Sequence, residues 1–379
     1  MATLEDYRAE IDKIDKELTR LFEKRMDQVI KVAQYKKDHN MEVFQKGRED
    51  IVIQKGIDNL KNKDYSEEIT RFLNAAMEIS RDAQKRIVLS NKVLDDIHVT
   101  VKEIDKNSRV GYPGVKGSFS EEALEKFFGK DAEEIAYTQF EEVFQGIENG
   151  ELDYGIVPIE NSSTGAVSLT YDLLRKYNFY IVGEECIKIE QNLIGIEGTT
   201  LGDIKEVYSH SQGLSQSSDF LNKHSEWNLI PFYNTAISAK MVKEAGDKTK
   251  VAVASKKAAE VYGLEVIEEC INNKEENFTR FVVIAKELNV VKDADKVSVV
   301  FSLEHEAGTL YRLLRHFAEN NINMAKIESR PMNDASWRYF LYVDFEGSLI
   351  NDKVRNALKL IGANSAYFKL LGAYKSAIN

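Results

Sequence analysis

The sequence is poor in the residues that build cross-linked, metal-bound or extended proteins. Its two cysteines, Cys186 and Cys270, lie far apart with no CxxC or His-rich neighbourhood, which excludes a disulfide framework and offers no zinc pattern. With only 4 Pro and 21 Gly in 379 residues, collagenous, mucin-like and long linker segments are excluded. Long apolar runs are missing too: VSVVF and FVVIA are strand-length and too short to cross a bilayer. The opening MATLEDYRAEIDKIDKE alternates charge with apolar residues and lacks the apolar core of a signal peptide, so a cytoplasmic protein without a membrane partner is expected. Positive charge is also in deficit: 51 Lys and Arg against 62 Asp and Glu give a net charge of -11. Such a surface repels nucleic acid, and an anionic ligand would need Arg and Lys concentrated at its site.

What is present suffices for several cores, since 43% of residues are apolar and the length is about two to three times that of a usual domain. From residue 4 to about 39, Leu4, Tyr7, Ile11, Ile14, Leu18, Leu21 and Phe22 recur at steps of three and four, which predicts one long amphipathic helix. Further helices are predicted over about 45–61 and 66–99, the last opened by Ser66, Glu67 and Glu68. From Ser108 the pattern changes to strands alternating with helices. Runs such as DYGIVPI, FYIVGE, NLIGI, VAVAS and RFVVIA are near-continuously apolar, as in sheets covered on both faces. After residue 296 the order βαββαβ predicts a ferredoxin-like module.

The first block carries Arg8, Arg25 and Lys36 beside its apolar stripe, Arg48 and Glu49 at the start of the second helix, and Ser80 and Gln84 four apart on the third. Snorkelling cations paired with acids on a coiled-coil edge would explain the first three. Cations, one acid and two neutral donors converging in a bundle instead describe a pocket for a small dianion. Their spacing resembles the all-helical chorismate mutase family over residues 4 to about 86. That resemblance implies that Lys36 and Gln84 donate to the breaking ether oxygen and Glu49 accepts from the substrate hydroxyl. It further implies that Arg8, Arg25 and Arg48 clamp carboxylates, and that Ser80 positions one. Gln45 stands at a substrate contact where the family often has Asp. A pericyclic rearrangement of chorismate to prephenate suits such a site, because it needs a held conformation and stabilised charge but neither proton transfer nor cofactor. At about 1.5 Å per residue, Arg8 and Arg25 are roughly 25 Å apart on one helix, too far to share a small ligand, whereas Arg25 and Lys36 are roughly 16 Å apart and within side-chain reach. Arg8 is therefore expected to serve a second protomer.

In the middle block, a Gly-rich turn (GYPGVKGSFS, 111–120), a strand ending in polar residues (VPIENSSTGAV, 157–167), VYSHSQGLSQ (207–216) and ENFTRFVVIA stand out. Hydroxyls and amides at the carboxyl end of a strand form an anion cradle; a plain helix cap would explain one hydroxyl, not four polar residues in a row. Together these segments resemble the prephenate dehydratase family over about 109–286. The resemblance implies Thr279 as the essential group at the departing hydroxyl, with Asn161, Ser162, Thr164 and Arg280 as contacts to the carboxylates and ring hydroxyl. In the last block, Gly308, Thr309, Leu310 and Tyr311 begin a helix, and Glu328, Ser329, Arg330 and Pro331 end a strand. This resembles the ACT regulatory domain fused to prephenate dehydratases, where phenylalanine binds between protomers. Tyr311 departs from the small residue usual there.

The expected architecture is multidomain: an all-α three-helix chorismate mutase domain over 1–100, a two-lobed α/β prephenate dehydratase domain over 108–286 with the chain crossing twice between lobes, and an α+β ferredoxin-like ACT domain over 297–379. The expected ligands are chorismate, prephenate and the effector phenylalanine, in a homodimer or tetramer with no metal and no cofactor. A ligand-sensing binding protein is the rival reading, since two-lobed clefts and ACT modules also serve sensors, but no helix-turn-helix or membrane tether is present to receive a signal.

Overall fold

The structure, a computed structural model, describes residues 2–41, 43, 46–88, 100–101, 103–332 and 338–377. It divides into two compact units: Met1–Ile97 with Glu306–Asn320 and Arg355–Ala366, and His98–His305 with Asn321–Val354 and Tyr367–Asn379.

The first unit is helical. Helix α1 (Leu4–Asp38) starts at a Thr3–Asp6 capping box, with acids Glu5 and Asp6 in its first turn and Lys36 and Lys37 in its last, matching the helix dipole at both ends. Helices α2 (Lys46–Asp58) and α3 (Ser66–Val88) follow, as the periodicity predicts. The remainder of the third predicted helix, 89–99, lies outside the described residues. The carboxyl-terminal part of α1 buries Ala33 and Lys36. Its amino-terminal stripe finds no cover among the described residues, with exposures from 62% at Leu4 to 41% at Phe22. Helix Thr309–Glu319 belongs to the same unit and meets α3: Arg315 pairs with Glu78 at 2.5 Å and Asp82 at 2.8 Å. Lys85 of α3 also donates to Asn364.

The second unit contains two sheets. The smaller runs Glu265–Glu268, Asn192–Gly195, Lys250–Ala254, Glu206–Ser209, Asn228–Pro231. Val251, Ala252, Val253 and Ala254 are all fully buried because helices cover both faces, which explains the absence of apolar–polar alternation in that run. The larger sheet runs Met324–Pro331, Tyr339–Glu346, Lys296–Ser302, Tyr367–Tyr374, Tyr180–Lys188, Phe278–Ala285, Tyr154–Asn161, Arg109–Pro113, Glu133–Tyr137. The chain leaves it after Tyr180–Lys188 and returns at Phe278–Ala285, so the two crossings between lobes occur as expected.

The last block keeps its βαββαβ order, and its four strands join the larger sheet rather than standing apart. The seam is one parallel register pair, Gly372 with Ile181. A Cβ at Gly372 would lie 2.0 Å from the Ile181 carbonyl oxygen, so only glycine permits this approach. Gly372→Ala is expected to cost about 1–3 kcal/mol or more of stability, as overpacking against unyielding backbone does. Urea denaturation checks this, and an unchanged midpoint would mean that the seam does not hold.

Candidate active sites

In the helical unit, the guanidinium of Arg25 donates to Ser80 Oγ at 2.5 Å and to the Ala76 carbonyl at 3.1 Å, joining α1 to α3. Lys36, only 8% exposed, donates to the Val43 carbonyl at 2.7 Å. Burial pulls its pKa below the ordinary lysine value, with nearby Glu49 opposing that shift. Glu49 pairs with Arg81 of α3. Gln84 is buried, and its Oε1 has no hydrogen-bond partner among the described residues. Arg25 thus meets Ser80 between α1 and α3, Lys36 lies near Glu49 of α2, and Gln84 is buried one turn after Ser80 on α3.

Three other expected residues behave differently. Arg48 is exposed, while Arg81, not singled out from the sequence, holds Glu49. Gln45 lies outside the described residues. Arg8 is exposed on the uncovered half of α1 and has no hydrogen bond or ion pair among the described residues.

The second site is a cavity of about 600 Å³ between the lobes, lined by Asn161, Thr164, Thr279 and Phe281 from the lobe of the larger sheet and by His210 and Gln212 from the lobe of the smaller. The Gly-rich segment supplies Gly114, Ser118 and Phe119. Asn161 organises it. Its Nδ2 donates to Thr279 Oγ1 at 2.9 Å and to Asn277 Oδ1 at 2.9 Å, and its Oδ1 accepts from the backbone amides of Ser163 at 3.0 Å and Thr164 at 3.1 Å. Thr279 Oγ1 accepts from Asn161, which leaves its own proton free to be donated into the cavity. Gln212 Nε2 donates to Thr164 Oγ1 at 3.0 Å, tying one lobe to the other. Gly165 closes the polar turn at φ 82°, a left-handed conformation that favours glycine.

Two expected contacts of this site are corrected. Arg280 and Ser162 face a different cavity of about 630 Å³ on the opposite side of the sheet. Consecutive strand residues point to opposite faces, so Thr279 and Arg280 cannot both enter the cleft. Arg280 is buried and pairs with Asp344 at 2.8 Å, Glu184 at 2.9 Å and Glu160 at 3.1 Å. Burial opposes its charge, but Asp344, Tyr374 and Glu184 move its pKa up overall. Ser162 Oγ accepts from the Phe278 amide at 2.9 Å. The Arg and Lys expected around an anion are also missing from this cleft: among the described residues lining it there is no arginine or lysine.

In the last block, Gly308 has φ 80° and begins the helix carrying Thr309 and Leu310, with Tyr311 largely exposed. Glu328, Ser329, Arg330 and Pro331 end the outermost strand of the larger sheet. Arg330 donates to Ser168 Oγ at 2.8 Å and pairs with Asp172 at 3.1 Å, both on helix Ser168–Lys176 just after the polar turn. Among the described residues one carboxylate cluster, Glu121, Glu125 and Glu134, has metal-like spacing. Lys257 already pairs with Glu121 and Glu125. No helix among the described residues is long and apolar enough to cross a membrane.

The prephenate dehydratase family matches residues 110–289, and the type II chorismate mutase family matches residues 7–85. A bifunctional chorismate mutase/prephenate dehydratase of Aquifex aeolicus is 31% identical over 100% of this chain and 99% of its own. The prephenate dehydratase of Arthrobacter aurescens, solved in complex with L-Phe, is 29% identical, with a TM-score of 0.66 over 71% of this chain and 90% of that one. GqqA, described as a novel type of quorum quenching acylase, has a TM-score of 0.64 at 25% identity over 71% of this chain and 98% of that one. One fold thus carries differently described activities, and the assignment rests on the residues and on the whole-length match. With both functional segments matched in order and a relative of the same composite organisation aligned end to end, the chain belongs to the bifunctional chorismate mutase/prephenate dehydratase family.

Proposed function

We propose that the two reactions of this family, chorismate to prephenate and prephenate to phenylpyruvate, take place at the two sites described above. The segments are retained as mutase 1–100, dehydratase 108–286 and ACT 297–379. In the mutase site Arg25 and Ser80 hold a carboxylate, Glu49 accepts from the ring hydroxyl, and Lys36 with Gln84 donates to the ether oxygen as its bond to carbon breaks. Arg48 and Gln45 are assigned to the open side of this pocket. Arg8 is assigned to the partner's pocket, in a dimer formed through the uncovered stripe of α1.

In the dehydratase cleft, the bond from the ring to its carboxylate breaks and carbon dioxide leaves. The electron pair enters the ring, and the ring hydroxyl departs with a proton as water. Thr279, held by Asn161, donates to that departing oxygen. A lining without arginine or lysine favours the step, because an uncompensated carboxylate gains by leaving as neutral carbon dioxide. The observation that carries this reading is the Asn161–Thr279 hydrogen bond, facing a cleft lined by neutral donors.

The last block is assigned as a ferredoxin-like ACT domain that takes phenylalanine at Gly308, Thr309 and Leu310 together with residues 328–331, between protomers of a dimer or tetramer of a cytoplasmic enzyme. Chorismate added to the purified protein is expected to yield phenylpyruvate, read by its alkaline absorbance. Millimolar phenylalanine is expected to suppress it, and Ser329→Ala to relieve the suppression with turnover largely intact. Kinetics and thermal stability that ignore phenylalanine would remove the sensing role.

A further inference from the structure

Behind the cleft, on the far face of the same sheet, lies a charge cluster that the two reactions do not use. Two cross-strand pairs stand side by side: Thr279 opposite Asn161, and Arg280 opposite Glu160. The first pair lines the cleft, the second the opposite cavity. Immediately after Arg280 the register between these strands shifts, so the ladder on that side becomes irregular just beyond the residue that carries the reacting hydroxyl.

Strand Tyr180–Lys188 pairs regularly with Thr279 and Arg280 on the other side, and side chains add to that ladder. Arg280 takes Glu160 from the Asn161 strand, Glu184 from strand Tyr180–Lys188 and Asp344 from strand Tyr339–Glu346 of the last block. These acids are held in turn. Lys296 donates to both oxygens of Glu184 at 2.7 and 2.9 Å, Lys326 pairs with Glu160 at 2.9 Å, and Ser298 donates to Asp344 at 2.6 Å. Three cations therefore balance three carboxylates in a region where Glu184 has no exposed side-chain surface. Buried ion clusters are seldom needed for stability, since apolar side chains of similar volume often serve as well or better. What they supply is direction. A guanidinium fork engaging acids on three strands leaves its own backbone, and the residue before it, little freedom.

We propose that Arg280 is a positioning residue of the dehydratase reaction, holding Thr279 and Asn161 in register from behind the sheet and taking its own place from Asp344 of the last block. The proposal rests on the reading of Thr279 as the donor to the departing hydroxyl.

The test uses the full chain with prephenate as substrate. Asp344→Asn keeps the shape of the side chain and removes its charge. It is expected to lower dehydratase kcat about ten- to a hundredfold, the range a misplacement of about 1 Å produces, with KM changed less than about twofold. Mutase turnover, whose site is elsewhere, should stay at the wild-type value and so reports folding. In a Thr279→Ala background the same substitution should cause no further fall, because the group it positions is gone. Glu160→Gln, at a half-exposed acid of the clamp, carries the same two expectations and stands in if Asp344→Asn loses mutase turnover. Unchanged kcat in the folded variants, a rise in KM alone, or an equal fold-loss with and without Thr279 would overturn the positioning role. Thr279→Ala retaining full dehydratase turnover would instead overturn the underlying reading, and that variant reveals it without touching the clamp.

Discussion

Lys36→Ala is expected to lower mutase turnover a hundredfold or more while prephenate is still converted, and Thr279→Ala to do the reverse. The first expectation rests on burial. Lys36 sits at the end of α1 with its ammonium already committed to one carbonyl and its charge disfavoured by burial, so a developing negative charge on the ether oxygen meets a desolvated donor. Removal of one preorganised donor of this kind costs about 10²–10³ in turnover. The depressed pKa adds a direction in pH: the donor is lost as pH rises, earlier than for an ordinary lysine, so mutase turnover should fall on the alkaline side before free lysine titrates. For Thr279 the argument is positional. Asn161 uses its amide on Thr279 and its carbonyl on the polar turn, so the alanine variant keeps the cradle but has no proton to give. Separate assays with chorismate and with prephenate check both. A folded variant that lost both activities together would be incompatible with two sites.

Arg8→Ala and Arg25→Ala are each expected to be nearly inactive as mutases, yet to recover activity when mixed. Arg8 lies about 25 Å along α1 from Arg25, has no hydrogen bond or ion pair among the described residues and sits among the exposed apolar residues Leu4, Tyr7 and Ile11. An apolar stripe of this length is unfavourable in water, and in the dimer proposed above it is covered and each Arg8 is brought to the other protomer's pocket. After co-refolding, half of the dimers are expected to be mixed, and one site in each mixed dimer combines an intact Arg8 with an intact Arg25. Roughly a quarter of all sites should then work, from the symmetry of an isologous dimer. No recovery, with mixed dimers demonstrated by native mass spectrometry, would mean that Arg8 acts within its own chain.

Much of this organisation is legible in the residues. The 3.6-residue recurrence fixes α1 to within a residue at each end, because nothing interrupts it until the turn after Asp38. The apolar runs of the middle block become strands buried on both faces for the reason their lack of alternation suggests. Asn161, Thr164 and Thr279 meet in the cleft although more than a hundred residues separate the first two from the third, because their strands are neighbours in the sheet. Other features run against the first appearance of the segments, or are not encoded locally at all. Arg280 and Ser162 look like parts of the polar segments that contain them, and strand alternation alone sends them to the far face; that signal was available in the sequence and points against them. The pairing of Glu49 with Arg81 depends on how α2 lies against α3, which no pattern along one helix encodes. The βαββαβ order of the last block is readable locally. That its strands extend the central sheet through Gly372 depends on a long-range approach marked only by one glycine.

The central proposal is that one chain carries two separate sites, the prephenate made at one being converted at the other. It is tested most directly by giving chorismate to an equimolar mixture of Lys36→Ala and Thr279→Ala proteins and following phenylpyruvate. Each variant alone should form almost none, the first for want of prephenate and the second for want of its conversion. Together they should produce phenylpyruvate after a lag in which prephenate accumulates. A mixture of the two folded proteins that forms no phenylpyruvate would contradict the account.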